Sequence, residues 1–296
     1  MDSSPLISVI VVSYNHAHFV KKCLDSLLNQ TYKNWELIIA DDFSTDDSTL
    51  VIKDWLSSNN LDVKIVFHKN NKGFIYTLNE CINISKGKYI KIIAADDIML
   101  PELLRESVNA LEKLPDDYMM VYSNARKIDE NDNIGNRLLP QTFDFDRNDL
   151  KRILYKRNIV IALTVMMKKE VFSKLGFFNS DFIIEDYEYW IRISDKYKIE
   201  YINKVLGYYR LHSTNISKRI DVDEETVRIK MYYDKRGDYS NFIINDLINL
   251  YKHGRVKSRT IMEYKTYKSR SKVLYYFLKF KIPYVFYKLK NKLLYK

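Results

Sequence analysis

Two pairs of adjacent acids follow strand-like segments of the chain and are the first candidates for chemistry. The pairs are Asp41 with Asp42 and Asp96 with Asp97. Neighbouring carboxylates in a low dielectric raise each other's pKa and oppose folding, so each pair needs compensating groups. A divalent cation, a basic side chain, or the hydroxyl and ring N–H groups of a ligand would compensate them. For sites made only of oxygen ligands, the preferred ions are Mg²⁺ and Mn²⁺.

The elements that must position these acids alternate over the first hundred residues. Apolar, β-branched segments predict strands buried on both faces, and amphipathic helix patterns separate them. The four predicted strands are Ile7–Val12, Trp35–Ala40, Val63–Phe67 and Tyr89–Ala94. This alternation predicts an α/β fold with a mostly parallel sheet. Ligands of such sheets bind beyond the carboxyl ends of the strands, where both acid pairs fall.

The pattern becomes looser after the first hundred residues. We expect a helix from Pro101, and later strands that complete the same sheet, near Met119–Ser123, 163–168 and Ile199–Tyr209. After about Ser217 the strand patterns end, and helices are predicted near 222–235 and 239–253. Earlier in the chain, Ser44 to Asp47 has the spacing of a capping box for the second helix.

Composition excludes several classes of protein. Of the 296 residues 46% are apolar, and there are only seven glycines and five prolines, which excludes disordered, collagen-like and low-complexity chains. The glycines form neither a G-x-G-x-x-G nor a P-loop pattern, so these nucleotide-binding folds are disfavoured. Cys23 and Cys81 lie in helix patterns and are predicted to be reduced core residues of a cytosolic protein. No signal sequence is predicted at the N-terminus.

The net charge of +10 is concentrated in the last part of the chain. Residues 255–296 hold 13 Lys or Arg and one acid, whereas residues 1–254 hold 35 bases and 37 acids. From Lys272 to Lys296 aromatic and aliphatic residues alternate with lysines, in apolar runs too short to span a bilayer. This composition favours a peripheral contact with an anionic membrane surface. The alternative is that these aromatic residues pack on the rest of the chain or on a partner helix, while binding of nucleic acid is disfavoured because the remainder is near neutral.

The residues around the acid pairs resemble the motifs of glycosyltransferase family 2, which has the GT-A fold. The matching segments are Ile7–Asn15, Leu27–Tyr32, Trp35–Asp46, Asn71-Lys72-Gly73 with Asn79, and Gly87–Asp97. A looser match adds Glu185-Asp186, Trp190, Arg192 and Tyr209–His212. The resemblance implies a GT-A (nucleotide-diphospho-sugar transferase) fold: a mostly parallel central sheet flanked by helices, with a helical extension at the C-terminus. The implied domains are a catalytic domain of residues 1–217, with a nucleotide-sugar half (1–115) and an acceptor half (116–217), and an extension of residues 218–296.

The resemblance also implies a role for each matching residue. The donor is expected to be a nucleotide-sugar, with UDP as the expected nucleotide, held by Ser13, Tyr14, Asn15, Asp41, Lys72, Asp96 and Arg210. Within this set Asp41 would bind the N–H of the base and Asp96 the ribose. Asp97 and His212 would bind Mn²⁺ or Mg²⁺, and Asp186 would be the general base. Ala95 stands where a full D-x-D motif has its first acid.

Together these roles imply an inverting transfer of a sugar to a hydroxyl of a glycan acceptor. The expected acceptor is a lipid-linked oligosaccharide for a surface polysaccharide, and the expected location is the inner face of the cell membrane. Two alternatives remain open at this stage. The chain could be a membrane-associated nucleotide-sugar-binding protein without turnover, and Asp186 could simply complement the dipole of a helix N-terminus.

Overall fold

The computed structural model describes residues 4–139, 149–213, 215 and 221–294, and side chains as far as residue 290. The chain divides into two compact units. The first comprises Met1–Leu150, Ile159–Ser180 and Arg192–Ser213, and the second comprises Lys151–Asn158, Asp181–Ile191 and Thr214–Lys296. The domain boundary predicted after residue 217 lies outside the described residues and stays a prediction.

The first unit is built on one sheet, to which the described residues contribute nine strands. These are β1 (Ile7–Ser13), β2 (Trp35–Asp41), β3 (Val63–Phe67), β4 (Tyr89–Ala94), β5 (Ile98–Met99), β6 (Tyr118–Asp129), β7 (Ile134–Leu139), β8 (Met166–Lys168) and β9 (Lys198–Leu211). Their order is β3-β2-β1-β4-β8-β6-β9-β5, with β7 paired to β6. Strands β1 to β4 are parallel to one another, and the later strands join the same sheet in mixed directions. The α/β prediction and the expectation that the second half completes this sheet are both confirmed.

The described residues form twelve α-helices. Those before residue 200 are α1 (Val20–Leu28), α2 (Ser48–Asn59), α3 (Phe74–Ile84), α4 (Leu103–Lys113), α5 (Leu150–Lys156), α6 (Glu170–Leu175) and α7 (Glu185–Lys196). Those after it are α8 (Val222–Tyr233), α9 (Ser240–Lys252), α10 (Ser258–Thr266), α11 (Lys272–Lys279) and α12 (Tyr284–Leu294). Among the described residues no helix is long and apolar enough to cross a membrane.

Burial on both faces explains why the first strands read as apolar runs. All seven residues of β1 are buried, and helices cover the sheet with their apolar faces, as α1 does with Val20, Cys23, Leu24 and Leu27. Each such Val, Leu or Ile contributes about 1.5–3 kcal/mol by leaving water. Cys23 and Cys81 are buried and free, as predicted.

The predicted capping box before α2 is wrong in detail. The Ser44 hydroxyl donates to Asp41 rather than capping the helix. Instead, Asp46 accepts from the Ser48 backbone N–H at 3.0 Å, one residue after the helix N-cap position. Ser44 and Asp46 therefore hold the loop that follows β2, because each satisfies a polar group within that loop.

A short pairing at one end of the sheet brings distant parts of the chain together. Strand β5 begins directly after Asp97 and pairs antiparallel with β9, in the register Ile98 to Tyr208 and Met99 to Gly207. The residues at the end of β9 are therefore held beside the second acid pair, although more than a hundred positions separate them in sequence.

The second unit has its own packed interior. The rings of Tyr155 and Tyr239 stack with centroids 3.9 Å apart, and the Tyr187 hydroxyl donates to the Leu154 carbonyl at 2.6 Å. Buried ionic groups are paired there, since Arg228 donates to Glu263. Helices α8 and α9 confirm the two helices predicted after the last strand.

We expect Gly87→Ala to destabilise the first unit by about 1–3 kcal/mol, the usual cost of overpacking. A Cβ at this position would lie 2.4 Å from the Ser8 backbone nitrogen and 2.8 Å from the Tyr89 carbonyl oxygen, and neither backbone atom can move away easily. Chemical denaturation measures the loss. The matched control is Gly135→Ala, whose nearest contact would be an ordinary 3.6 Å, so equal stabilities of the two variants would contradict the prediction.

Candidate active site

The candidate site lies where the order of the parallel strands reverses. From β1 the chain runs outward to β2 and β3, and it then returns to place β4 on the other side of β1. Loops leaving β1 and β4 diverge at such a point and open a crevice at the carboxyl edge of the sheet. Here the two loops carry Ser13 to His16 and Ala95 to Asp97.

Three side chains of metal-binding types, two histidines and one aspartate, meet at this edge. Nε2 of His212 lies 2.9 Å from Oδ2 of Asp96, and Nε2 of His16 lies 3.9 Å from the same oxygen. One ligand atom from each residue falls within 4.8 Å of the others. The hydrogen bond from His212 and the nearby His16 outweigh burial and lower the pKa of Asp96, whereas burial lowers the pKa of His16. The group thus favours an ionised carboxylate beside a neutral His16 imidazole.

The chemistry of this donor set fits a divalent transition-metal ion. Two imidazole nitrogens and one carboxylate oxygen are a mixed set, which suits Mn²⁺ and its neighbours better than Mg²⁺ with its preference for oxygen. His16 Nδ1 is buried and has no hydrogen-bond partner among the described residues. No role was predicted for His16 from the sequence, although its position three residues after β1 was the available signal.

Asp97 and Arg210 are buried beside the group of His16, Asp96 and His212. The Arg210 backbone N–H donates to Asp97 Oδ1 at 2.8 Å, and its Nε donates to the Asp96 carbonyl at 2.7 Å. The guanidinium is fully buried and also reaches Asp132 at 2.8 Å. Burial and the adjacent Asp96 carboxylate raise the pKa of Asp97. Burial also lowers the pKa of Lys91, a residue of β4, to about 7. Arg210 thus fixes the acid loop from within the protein.

Asp41 terminates β2 at the same edge and is held by its own loop. Its Oδ1 accepts from the Ser44 N–H at 2.8 Å, and its Oδ2 accepts from the Ser44 hydroxyl at 2.6 Å. Asn15, in the left-handed conformation with φ 57°, links this loop to the one after β1 by accepting from the Thr45 N–H at 2.8 Å. Each Asp41 oxygen keeps a lone pair for a further donor.

Asp42 organises the loop that carries Lys72. Its two oxygens accept from the backbone N–H groups of Lys72 and Gly73, both at 2.8 Å. His68 Nδ1 lies 2.7 Å from Asp42 Oδ1, and its Nε2 lies 2.7 Å from Glu80. This chain of hydrogen-bonded groups fixes the loop after β3, and nothing in the spacing of His68 along the sequence indicated it.

The remaining predicted residues of the first unit fall at the same edge with differing exposure. Ser13 is buried, and its hydroxyl has no hydrogen-bond partner among the described residues. Tyr14 is 42% exposed, as a side chain that could pack against a ligand must be. The Lys72 ammonium lies 4.6 Å from the centroid of the Tyr76 ring. The structure therefore gathers Ser13, Tyr14, Asn15, Asp41, Asp96, Asp97 and His212 at the ends of β1, β2, β4 and β9, with Arg210 beneath them.

Asp186 belongs to the second unit, in the first turn of α7. Its Oδ1 accepts from the Tyr187 N–H at 2.6 Å. Burial raises the pKa of Asp186 to about 6, and burial together with Asp186 raises the pKa of Glu185 to about 8. A carboxylate with a pKa near 6 can accept a proton at neutral pH, which is the property a general base needs.

Three relatives of this chain among known proteins are named as glycosyltransferases. The chain is 30% identical over 243 residues to an uncharacterized glycosyltransferase of Methanocaldococcus jannaschii, covering 80% of each chain. It is 27% identical over 249 residues to UDP-Glc:alpha-D-GlcNAc-diphosphoundecaprenol beta-1,3-glucosyltransferase WfgD of Escherichia coli, covering 83% of this chain and 90% of that one. A glycosyltransferase of Rickettsia felis is 27% identical over 76% of this chain, but the match spans only 37% of that longer protein.

Solved structures show the same fold. S. aureus TarS 1-349, in complex with UDP-GlcNAc, superposes with a TM-score of 0.66 at 16% identity, over 88% of this chain and 80% of that one. The mannosyltransferase PcManGT of Pyrobaculum calidifontis, in complex with GDP-Man and Mn²⁺, superposes with a TM-score of 0.59 at 16% identity, over 97% of this chain and 84% of that one. At these identities the likeness concerns the fold, which is GT-A as predicted.

The family model for Glycosyl transferase family 2 matches residues 8–176. This range contains both acid pairs and the strands β2 and β4 that precede them. This match covers more than half of the chain, and it agrees with the relatives and with the fold. The chain therefore belongs to glycosyl transferase family 2.

Proposed function

We propose that the protein is an inverting glycosyltransferase that moves a sugar from a UDP-sugar to a hydroxyl group of a lipid-linked glycan. The observation that carries this proposal is the convergence of Asp41 with the His16, Asp96 and His212 group at the strand-order reversal of a family 2 chain. The name of the E. coli relative, with UDP-Glc as donor and a diphosphoundecaprenol acceptor, supports the donor and acceptor classes.

The donor would be held at the edge of the first unit. We assign the base N–H to the free lone pairs of Asp41 and the face of the nucleoside to Tyr14, with Ser13, Asn15 and Lys72 as the other donor contacts. Arg210, being fully buried, would act on the donor by holding the acid loop. Asp96, expected from the sequence to bind ribose, is here also proposed as a metal ligand because of its contacts with His16 and His212.

A divalent ion held by His16, Asp96 and His212 would neutralise charge on the departing diphosphate, and Mn²⁺ is the first ion to test. We also propose Asp97 as a ligand of this ion, as the family resemblance implies. Its burial and its hydrogen bond from the Arg210 N–H support a fixed position for this carboxylate.

Asp186 would perform the proton transfer. Its carboxylate accepts the proton of the acceptor hydroxyl as that oxygen attacks the anomeric carbon. The bond between the anomeric carbon and the diphosphate oxygen breaks on the opposite face, and the nucleoside diphosphate leaves with the electron pair. Attack from the opposite face inverts the configuration of the sugar.

We expect Asp96→Asn to weaken Mn²⁺-dependent binding of UDP at least about tenfold, because the amide removes the charge that both histidines face. Calorimetric titration with UDP, with and without Mn²⁺, measures this, and GDP is the comparison nucleotide. The matched control is His253→Gln, which changes an exposed histidine of the second unit. Unchanged UDP affinity in Asp96→Asn would remove this residue from the donor site.

We expect Asp186→Asn to lower the rate of sugar transfer by about 10²–10⁴-fold while leaving UDP binding intact, since the amide cannot accept the proton. Asp195→Asn, an exposed acid later in the same helix, is the control and should keep full transfer. Full transfer by Asp186→Asn would assign this residue to the helix N-terminus alone. Donor binding without transfer by the unmodified protein would favour the nucleotide-sugar-binding alternative.

The transfer rate at saturating substrates should fall as the pH drops through about 6, because burial raises the pKa of Asp186 to that value and only the ionised form accepts a proton. Above pH 7 the contribution of Asp186 should be constant. The decline should approach tenfold per pH unit well below 6. UDP affinity measured at each pH separates this effect from protonation of the histidines, and a rate independent of pH between 5 and 7 would contradict the assignment.

A further inference from the structure

The last two helices of the second unit present an apolar outer surface. Five of its side chains are more than half exposed, and we call them the outer face: Tyr276, Phe280, Val285, Phe286 and Leu289. Tyr276 lies on α11 and Phe280 directly follows this helix, and their rings stack at a centroid distance of 6.1 Å. Val285 and Phe286 lie four and three residues before Leu289, which is the spacing of an apolar stripe along one side of α12.

The outer face is not needed for the packing of these helices. Their opposite sides supply the interior of the second unit with Leu274, Tyr275, Leu278 and Tyr287, all of which are buried. Phe277 meets the Tyr287 ring at a centroid distance of 5.4 Å and so packs the two helices together. The aromatic residues of the tail therefore divide into two sets, and only the inner set fulfils the sequence-based alternative of packing within the protein.

All charged residues around the outer face have the same sign. Between residues 264 and 290 every charged side chain is Lys or Arg. Lys272, Lys279, Lys281 and Lys288 are exposed, and the Lys279 ammonium lies 5.3 Å from the centroid of the Phe280 ring. The surface that covers the outer face must therefore accept apolar rings and carry negative charge at their border.

We propose that the outer face docks on the surface of an anionic phospholipid bilayer. An anionic bilayer provides both an apolar region and negative charge beside it. The aromatic rings would enter the boundary between headgroups and acyl chains, and the lysines would contact the charged headgroups. Two short helices joined by a turn cannot span a bilayer, and among the described residues no helix can, so the helices lie along its surface. This inference rests on the outer face alone and does not depend on the proposed transfer reaction.

Co-sedimentation of the full chain with two kinds of vesicle tests the proposal. One kind is phosphatidylcholine alone, and the other is three parts phosphatidylcholine to one part phosphatidylglycerol. We expect binding to the mixed vesicles to be at least about tenfold stronger, because each basic residue near the surface adds roughly a fivefold factor. High salt should reduce the difference.

The double variant Phe280→Ser with Phe286→Ser should bind the mixed vesicles at least about tenfold more weakly. The matched control is Met262→Ser, which removes a 65% exposed apolar side chain of α10 outside the outer face and should bind like the original protein. Because the substituted side chains are exposed, circular dichroism and the melting temperature should be unchanged in both variants. UDP affinity in solution should also be unchanged, which separates a failure of this proposal from a failure of the proposed function.

Two results would overturn the proposal. One is equal sedimentation of the double variant and the original protein with the mixed vesicles. The other is a concentration-dependent dimer, detected by analytical ultracentrifugation, that the same two substitutions abolish, because the outer face would then meet a second copy of the chain.

Discussion

The arrangement of the candidate site depends on one electrostatic constraint, the burial of two adjacent carboxylates at Asp96 and Asp97. Burial alone would keep both protonated, because a charge without partners is costly in a low dielectric. Groups at the end of β9 stabilise both carboxylates. The Arg210 N–H donates a hydrogen bond to Asp97, and His212 forms a hydrogen bond with Asp96. The pairing of β5 with β9 makes this possible, since it places those residues directly beside the acids.

The same constraint gives the acids different hydrogen-bond partners. Asp97 and Arg210 are buried together, and their contacts hold the loop. One carboxylate oxygen of Asp96 faces both His16 and His212. The charge of this carboxylate therefore lies within the group of metal-binding atoms at the edge of the sheet. The other acid pair divides similarly: Asp42 binds backbone N–H groups of the loop after β3, whereas Asp41 keeps lone pairs beyond those used by Ser44.

Exposure divides the C-terminal helices in an analogous way. Both helices consist of aromatic and aliphatic residues among lysines. The inner set of these residues packs within the second unit, whereas the outer face does not. The lysines cannot enter the interior without partners, so they stand on the outside with Phe280 and Phe286. Packing within the second unit therefore explains the burial of the inner set. The outer face is left for contact with a surface outside the chain.

Much of the fold follows from local sequence. The apolar runs of β1 to β4 determined a parallel α/β sheet because such runs are stable only when both faces are covered, and β3 and β4 have the predicted bounds. The motifs around Asp41 and Asp97 determined the family, and they predicted the edge of the sheet at which the candidate site lies. The sequence could not determine which oxygen meets which donor. His16, His68 and Lys91 gain their partners only when segments 12 to 80 residues apart are brought together by the fold. Those pairings are non-local contacts, and spacing along the chain records only local ones. The tertiary structure alone decided that Phe280 lies outside while Leu278 lies within, because the choice depends on which face of the helix packs against the rest of the second unit.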